Sequence, residues 1–132
     1  MVWGAIASVG LNIFFGFLWY SPFGLGKLWM KATFPGESLQ QLQESKSPSA
    51  LPLTICSNSV LVAILHYFVG PFLGVTSVPD ALKVALALFV VGSFLDIPHT
   101  FYKRGSFVTY LVDHSYNAAV LTSTCLCLVY FG

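Results

Sequence analysis

The sequence predicts an all-α polytopic membrane protein, with four transmembrane helices in an up-down bundle and a short interfacial helix after the first. Hydrophobic residues make up 56% of the 132-residue chain and charged residues only 8%, with a mean hydropathy of +0.78. Soluble domains are typically about a quarter charged, so this chain would expose too much apolar surface in water. Long apolar runs are separated by proline, glycine or polar residues. We therefore expect one integral membrane domain, residues 1–132, in a lipid bilayer.

The first apolar run, residues 2–20, has the length of a helix that crosses a hydrocarbon core of about 30 Å. It lacks a basic start and a cleavage site, so we expect it to be retained rather than removed as a signal peptide. Every fourth residue of the run is small or polar, which either lets another helix pack closely or is ordinary scatter. The predicted helix-packing residues are Gly4, Ser8, Asn12 and Gly16.

An interfacial helix is predicted over residues 23–34, after Ser21-Pro22 ends the first span. The segment is too short to cross a bilayer, and lysines beside large apolar residues are typical of a helix in the headgroup region. The predicted anchors at the lipid–water interface are Trp19, Tyr20 and Trp29. The one strongly polar stretch, residues 35–49, is predicted to lie outside the membrane.

Three further runs have transmembrane length, at residues 51–70, 81–102 and 107–131. Asp80 is predicted to cap the third span, because its side chain can accept from a free backbone amide. Pro98 lies in the last turns of that span. It removes one backbone hydrogen bond, so we expect it to kink or end the helix.

Basic residues indicate the orientation of the predicted spans. The segments between spans one and two and between spans three and four hold Lys27, Lys31, Lys46, Lys103 and Arg104. Lys83 alone lies near the other side. By the positive-inside rule, both chain termini are expected on the side away from the cytosol.

Polar side chains from all four predicted spans come to a similar depth. From the rise of about 1.5 Å per residue, Asp96 and Asp113 each lie roughly 9 Å below the surface near the turn between the last two spans. A charge inside a membrane is costly and usually functional. We expect these two carboxylates to face one another, with at least one protonated or bound to a cation. The predicted intramembrane polar site comprises Asp96, His99, Asp113, His114, Asn117, Asn58 and Asn12.

Three interpretations of this layer compete. In the first, the layer is structural, and its side chains join the helices by hydrogen bonds. In the second, it is a transport pathway in which nearby carboxylates share a proton or bind a cation. The third is a metal site built from Asp96, His99, Asp113 and His114, which is disfavoured because adjacent helix positions diverge by about 100°. The sequence has no phosphate-binding glycine loop, catalytic serine order or paired-cysteine zinc spacing, so we predict no metal or catalytic residue and favour a non-enzymatic role.

The end of the first span resembles a known family. The residues that carry the resemblance are Trp19-Tyr20-Ser21-Pro22, Phe23-Gly24 and Gly26-Lys27-Leu28-Trp29-Met30. They are similar to the signature of the small membrane proteins grouped as domain of unknown function 1761. Segments 101–106 and 111–116 are similar to that family's last two helices. The resemblance implies a four-helix membrane fold and supplies neither an activity nor a cofactor.

The sequence thus predicts a small multi-pass membrane protein that conducts or transports a proton or a cation through the polar layer. The alternative is a structural or assembly subunit in which the layer only holds helices together. A bundle this small buries little surface, so we expect it to associate with copies of itself or with a larger membrane complex. The net charge of +1 provides no basic face for nucleic acid.

Overall fold

The computed structural model contains helices and turns, and no strand, in the part of the chain that it describes. That part comprises residues 2–21, 24–34, 36, 50–103 and 105–131. In chain order the elements are α1 (Val2–Tyr20), α2 (Gly26–Thr33), α3 (Ala50–Ile64), a π-helical turn (Leu65–Val69), α4 (Gly70–Leu73), α5 (Val78–Tyr102) and α6 (Phe107–Phe131). The predicted all-α fold is therefore confirmed for these residues. Apart from Gly36, the predicted polar stretch at 35–49 lies outside them.

In the described part of the chain, three helical stretches are long and apolar enough to cross a membrane: Val2–Tyr20, Pro52–Leu73 and Val78–Tyr102. The fourth predicted span, α6, is 25 residues long but is more polar and is not among these three. Large apolar side chains lie on the outside of the helices, and Phe72, for example, is 88% exposed. An apolar surface of this extent suits lipid rather than water.

The second long helix continues through Gly70-Pro71, where the sequence predicted its end. The amide of Gly70 donates to the carbonyl of Leu65, which is the i→i+5 spacing of a π turn. Pro71 lies in the first turn of α4 and has no amide to donate, so one backbone hydrogen bond is missing where α4 continues the π turn. The helix ends at Gly74, whose φ of +67° is accessible to glycine at little strain.

The beginning of α5 differs in detail from the prediction. Ser77, not Asp80, is the cap, because the Ser77 hydroxyl accepts from the Asp80 amide at 3.4 Å. Asp80 lies in the first turn with Pro79, a position where proline is favoured since its missing amide would be unpaired anyway. Pro98 lies inside the helix, which continues to Tyr102.

The turn between α1 and α2 is too tight for a side chain at two positions. A Cβ on Gly24 would collide with the carbonyl of Leu18, and a Cβ on Gly26 would collide with that of Tyr20. Because glycine has no Cβ, the chain can reverse there and bring α2 back against α6.

The central helix is α6, which packs against α1, α2 and α5. The apolar core is small. Leu65, Ala81, Ala85 and Cys125 form one buried cluster, and the other buried apolar residues are Val62, Val112, Val120 and Cys127. Cys125 and Cys127 are buried and Cys56 is exposed, and all three are free thiols. Since so little apolar core is buried, the polar contacts of α6 have a large part in positioning its neighbours.

Candidate functional site

The first polar cluster joins α1, α2 and α6 at the carboxylate of Asp113. The Tyr20 hydroxyl donates to Asp113 Oδ1 at 2.6 Å, and Trp29 Nε1 donates to the same oxygen at 2.9 Å. The rings of Tyr20 and Trp29 also pack edge to face, with centroids 5.4 Å apart. We call these three residues the Asp113 cluster. Asp113 Oδ1 thus accepts two hydrogen bonds beside two aromatic rings, and these contacts hold α2 against α6.

Trp19 and Thr33 strengthen the same junction. Trp19 Nε1 donates to the Ser115 hydroxyl at 2.8 Å, and the hydroxyls of Thr33 and Thr109 are 2.9 Å apart. The polar atoms of the three predicted interface anchors therefore bind side chains of α6. The aromatic motif at the end of α1 connects helices within the protein.

The second polar cluster joins α5 to α6. His114 Nε2 lies 2.8 Å from Asp96 Oδ2, and the Thr100 hydroxyl donates to the same oxygen at 3.1 Å. The other ring nitrogen, His114 Nδ1, lies 3.4 Å from the Ser93 hydroxyl. Tyr110 packs on the imidazole with ring centroids 4.3 Å apart and donates to the Ser93 carbonyl at 2.8 Å. We call Ser93, Asp96 and His114 the Asp96 cluster.

Helix spacing explains why these side chains meet. Ser93, Asp96 and Thr100 are separated by three and four residues, so they share one face of α5. Tyr110 and His114 are four apart and share one face of α6. The short turn before α6 places the two faces opposite one another.

The Asp96 cluster lies on a groove of about 430 Å³ between α3, α5 and α6. Apolar side chains form most of the wall, and Asn117 is a further polar residue in it. The side chain of Asp96 is 45% exposed, whereas that of His114 is only 9% exposed. The carboxylate therefore faces the groove, and the imidazole lies behind it.

A third polar cluster is buried between α1, α6 and the π turn. The Asn12 amide donates to the Thr124 hydroxyl at 3.1 Å, and the Ser123 hydroxyl donates to the Asn12 side-chain carbonyl at 3.2 Å. His66 Nε2 lies 3.1 Å from the Ser8 hydroxyl and 3.2 Å from the Thr124 carbonyl. Asn12, Ser8, His66 and Thr124 are all buried.

The contacts of His66 fix its tautomer. The Ser8 hydroxyl donates its proton to the Gly4 carbonyl at 2.8 Å, so it can only accept from His66. His66 Nε2 therefore carries a hydrogen, and in the neutral ring Nδ1 is the unprotonated nitrogen. That Nδ1 is buried and has no hydrogen-bond partner among the described residues.

The residues of the predicted polar layer are divided among these clusters. Asp96 pairs with His114 rather than with Asp113, because Asp113 and His114 are adjacent on α6 and diverge by about 100°. Asn58 is buried, and the Tyr116 hydroxyl donates to the backbone carbonyl of Asn12 at 3.3 Å. His99 lies on the exposed side of α5.

The predicted packing residues lie on the side of α1 that contacts the rest of the bundle. Gly4, Ser8 and Asn12 are buried. A Cβ on Gly16 would lie 3.4 Å from the Tyr116 hydroxyl. Sequence reasoning did not select Ser93, Thr100 or Thr124, although the spacing of Ser93 and Thr100 around Asp96 was a usable signal. Among the described residues, no group of three or more His, Cys, Asp or Glu side chains is placed to hold a metal ion.

These features indicate the class of protein: in its described residues it is all-helical, with helices long and apolar enough to cross a membrane and with polar clusters inside the helix packing. The family model described as Protein of unknown function (DUF1761) matches residues 3–129, and the chain belongs to that family. The resemblance of the first motif to this family is thus confirmed. Neither the curated proteins nor the solved structures include a match to this chain.

Proposed function

We propose that this protein moves protons across a membrane and that the Asp96–His114 pair is its proton-binding group. The observation that supports this is the 2.8 Å contact between His114 Nε2 and a carboxylate that is 45% exposed to a groove. An ionised carboxylate inside a membrane-spanning bundle is costly, so it is usually paired and often marks an ion or proton pathway. Asp96 is paired on one oxygen and open on its other side, which suits a group that exchanges protons.

The surroundings of His114 suit both of its protonation states. Ser93 lies at hydrogen-bond distance from Nδ1, and a hydroxyl can either donate or accept. Neutral His114 accepts from Ser93 at Nδ1 while Nε2 donates to Asp96. Protonated His114 donates from both nitrogens, and Asp96 balances its charge. Both ring nitrogens of His114 therefore keep a hydrogen-bond partner in either protonation state.

His66 lacks this property. Protonation of its buried Nδ1 would create a donor with no acceptor among the described residues. An unsatisfied buried group costs about 1–3 kcal/mol, and more when it is charged. His66 is therefore better suited to joining α1 and α6 than to proton exchange.

The proposal includes α6 as a fourth span in an up-down bundle. Its 25 residues make a helix of about 37 Å, longer than a hydrocarbon core of about 30 Å. Its polar side chains Asp113 and His114 bind residues of neighbouring helices. Contacts of this kind lower the cost of a polar helix in lipid.

Two other classes have less support. Ser93, His114 and Asp96 are the residue types of a hydrolase triad, but the amides around Ser93 lie inside α5 and are bonded along the helix, so they cannot form an oxyanion hole.

A structural or assembly subunit is the second candidate, because the hydrogen bonds of the Asp113 cluster hold helices together.

Proton flux into liposomes tests the proposal. The purified protein is reconstituted with an internal pH-sensitive dye, and a potassium diffusion potential drives protons inward. We expect wild-type protein to acidify the lumen, and Asp96→Asn and His114→Gln to reduce the flux to that of protein-free liposomes. The matched variant Asp113→Asn should lower thermal stability and retain flux per folded molecule. If Asp96→Asn shows the same proton flux as wild type, or if wild-type protein shows no proton flux, the structural or assembly role would be favoured.

A further inference from the structure

We propose that the groove beside Asp96 binds an amphipathic amine, that is, a small molecule with one ammonium group and a hydrophobic body. The proposal rests on the proposed function in that both use Asp96. It goes further in assigning a ligand class to the groove, which can be tested by binding without any measurement of transport.

The free oxygen of Asp96 indicates the charge of the ligand. His114 and Thr100 both contact Oδ2, and Oδ1 has no hydrogen-bond partner among the described residues. A carboxylate oxygen only accepts hydrogen bonds, so the ligand must bring a donor. A cationic donor is favoured over a neutral one because it also compensates the carboxylate charge within the bundle.

The walls of the groove indicate the rest of the ligand. Leu61, Leu88 and Phe89 are among its apolar lining residues, and Asn117 supplies a second polar side chain. Among the described residues, no lysine or arginine lines the groove. Small-molecule sites commonly have volumes of about 300–1,000 Å³ with mostly apolar walls and a few polar groups. The groove, at about 430 Å³, has this character and favours a cation over an anion.

The depth of the site favours a free amine over the ammonium headgroup of a lipid. Asp96 lies six residues before the end of α5 at Tyr102, about 9 Å into the helix, whereas a lipid headgroup lies at the membrane surface. We therefore commit to the free amine, and treat a lipid headgroup as an outcome that would contradict the proposal.

Amine binding and proton binding are then linked. Asp96 can balance the charge of a protonated His114 or that of a bound ammonium group, so each cation weakens the binding of the other. The other titratable side chains near the pair are Tyr110 on α6, which packs on His114, and His99, three residues beyond Asp96 on α5. The element opposite them, α3, contributes the apolar Leu61.

Two glycines provide a matched pair of variants. Gly92 lines this groove, and a Cβ there would meet nothing within 4 Å, so we expect a leucine at this position to occupy part of the groove. A Cβ on Gly10 is equally unopposed. Gly10 lines a different groove, of about 530 Å³ between α1 and α3, which has no charged lining residue. Gly92→Leu is therefore the test and Gly10→Leu the control.

The probes are 4-phenylbutylamine, which is cationic, and its neutral and anionic counterparts 4-phenylbutanol and 4-phenylbutyrate. Each is titrated against purified protein in detergent, with the shift in melting temperature as the readout. We expect a saturable upward shift for wild type and Gly10→Leu with the amine only. Gly92→Leu should lose the shift, and Asp96→Asn should bind the amine at least about tenfold more weakly.

Equal shifts with the alcohol or the acid would overturn the proposal, as would wild-type amine binding in Gly92→Leu. The titration is repeated in nanodiscs of phosphatidylcholine with and without phosphatidylethanolamine. Loss of amine binding only when phosphatidylethanolamine is present would assign the groove to a lipid headgroup. Amine binding without proton flux in liposomes would refute the proposed function and support this inference. Proton flux without amine binding would support the proposed function and refute this inference.

Discussion

At the scale of the residue, each of the two carboxylates accepts two hydrogen bonds on one oxygen, and they differ in what lies beside them: aromatic donors at Asp113, and a histidine and a groove at Asp96. Asp113 Oδ1 is closed off by the Tyr20 hydroxyl and the Trp29 indole. Asp96 is bonded on Oδ2 and half-exposed to a groove. We infer that Asp113 serves the folded structure and that Asp96 serves exchange with the surroundings. The two residues should therefore respond differently to substitution.

The Asp113 cluster leads to a stability prediction. Tyr20→Phe removes one of the two donors to the carboxylate and leaves the ring packing unchanged. A lost hydrogen bond to a charged group costs about 1.5–3 kcal/mol, so this variant should unfold in detergent at a lower temperature than wild type. The matched control is Tyr102→Phe, because Tyr102 is 89% exposed. Equal melting temperatures for the two variants would show that the Tyr20 hydroxyl does not stabilise α2.

The sequence established which residues were unusual but not how they pair. Depth could be counted along each helix, and it placed Asp96 and Asp113 at a common level. The direction of each side chain depends on how the helices are rotated about their axes, which tertiary packing decides. Because of that rotation Asp113 meets Tyr20, and its neighbour His114 meets Asp96.

At the scale of the element, most helix limits followed from apolar length and from proline and glycine positions. The π turn did not, and it carries the second long helix past Gly70-Pro71 to Leu73. The apolar pattern of the sequence did not identify the π turn, within which His66 lies in reach of Ser8 and Thr124. π turns of this kind often occur at functional sites.

The polar helix α6 leads to a topology prediction. If it crosses the membrane, its two ends lie on opposite sides. Single cysteines replacing Ser106 and Tyr130, in a background without the three native cysteines, should label from opposite faces of intact vesicles. A cysteine replacing Thr76, in the turn before α5, should label from the same face as the one at Tyr130. Labelling at Ser106 and Tyr130 from one face would mean that α6 does not span.

At the scale of the whole molecule, His66 in the π turn and His114 in α6 have different surroundings and are expected to have different roles. His66 is fully buried and joins α1 to α6, with Nε2 as donor. His114 lies beside a groove with Asp96 on one nitrogen and Ser93 on the other. Because the apolar core is small, polar contacts have a large part in positioning the helices. On the proposed function, the contacts of His66 hold the bundle together and the Asp96 cluster exchanges protons.

The most direct test of this account is ¹⁵N NMR of the histidine rings in nanodiscs. The chain has only three histidines, and His66→Gln, His99→Gln and His114→Gln variants assign their signals. We predict that His114 Nδ1 gains and loses a proton over the pH range in which liposomes show proton flux, and that this exchange is altered in Asp96→Asn. His66 should keep a protonated Nε2 and an unprotonated Nδ1 throughout. A His114 ring that holds one protonation state across that range would contradict the account.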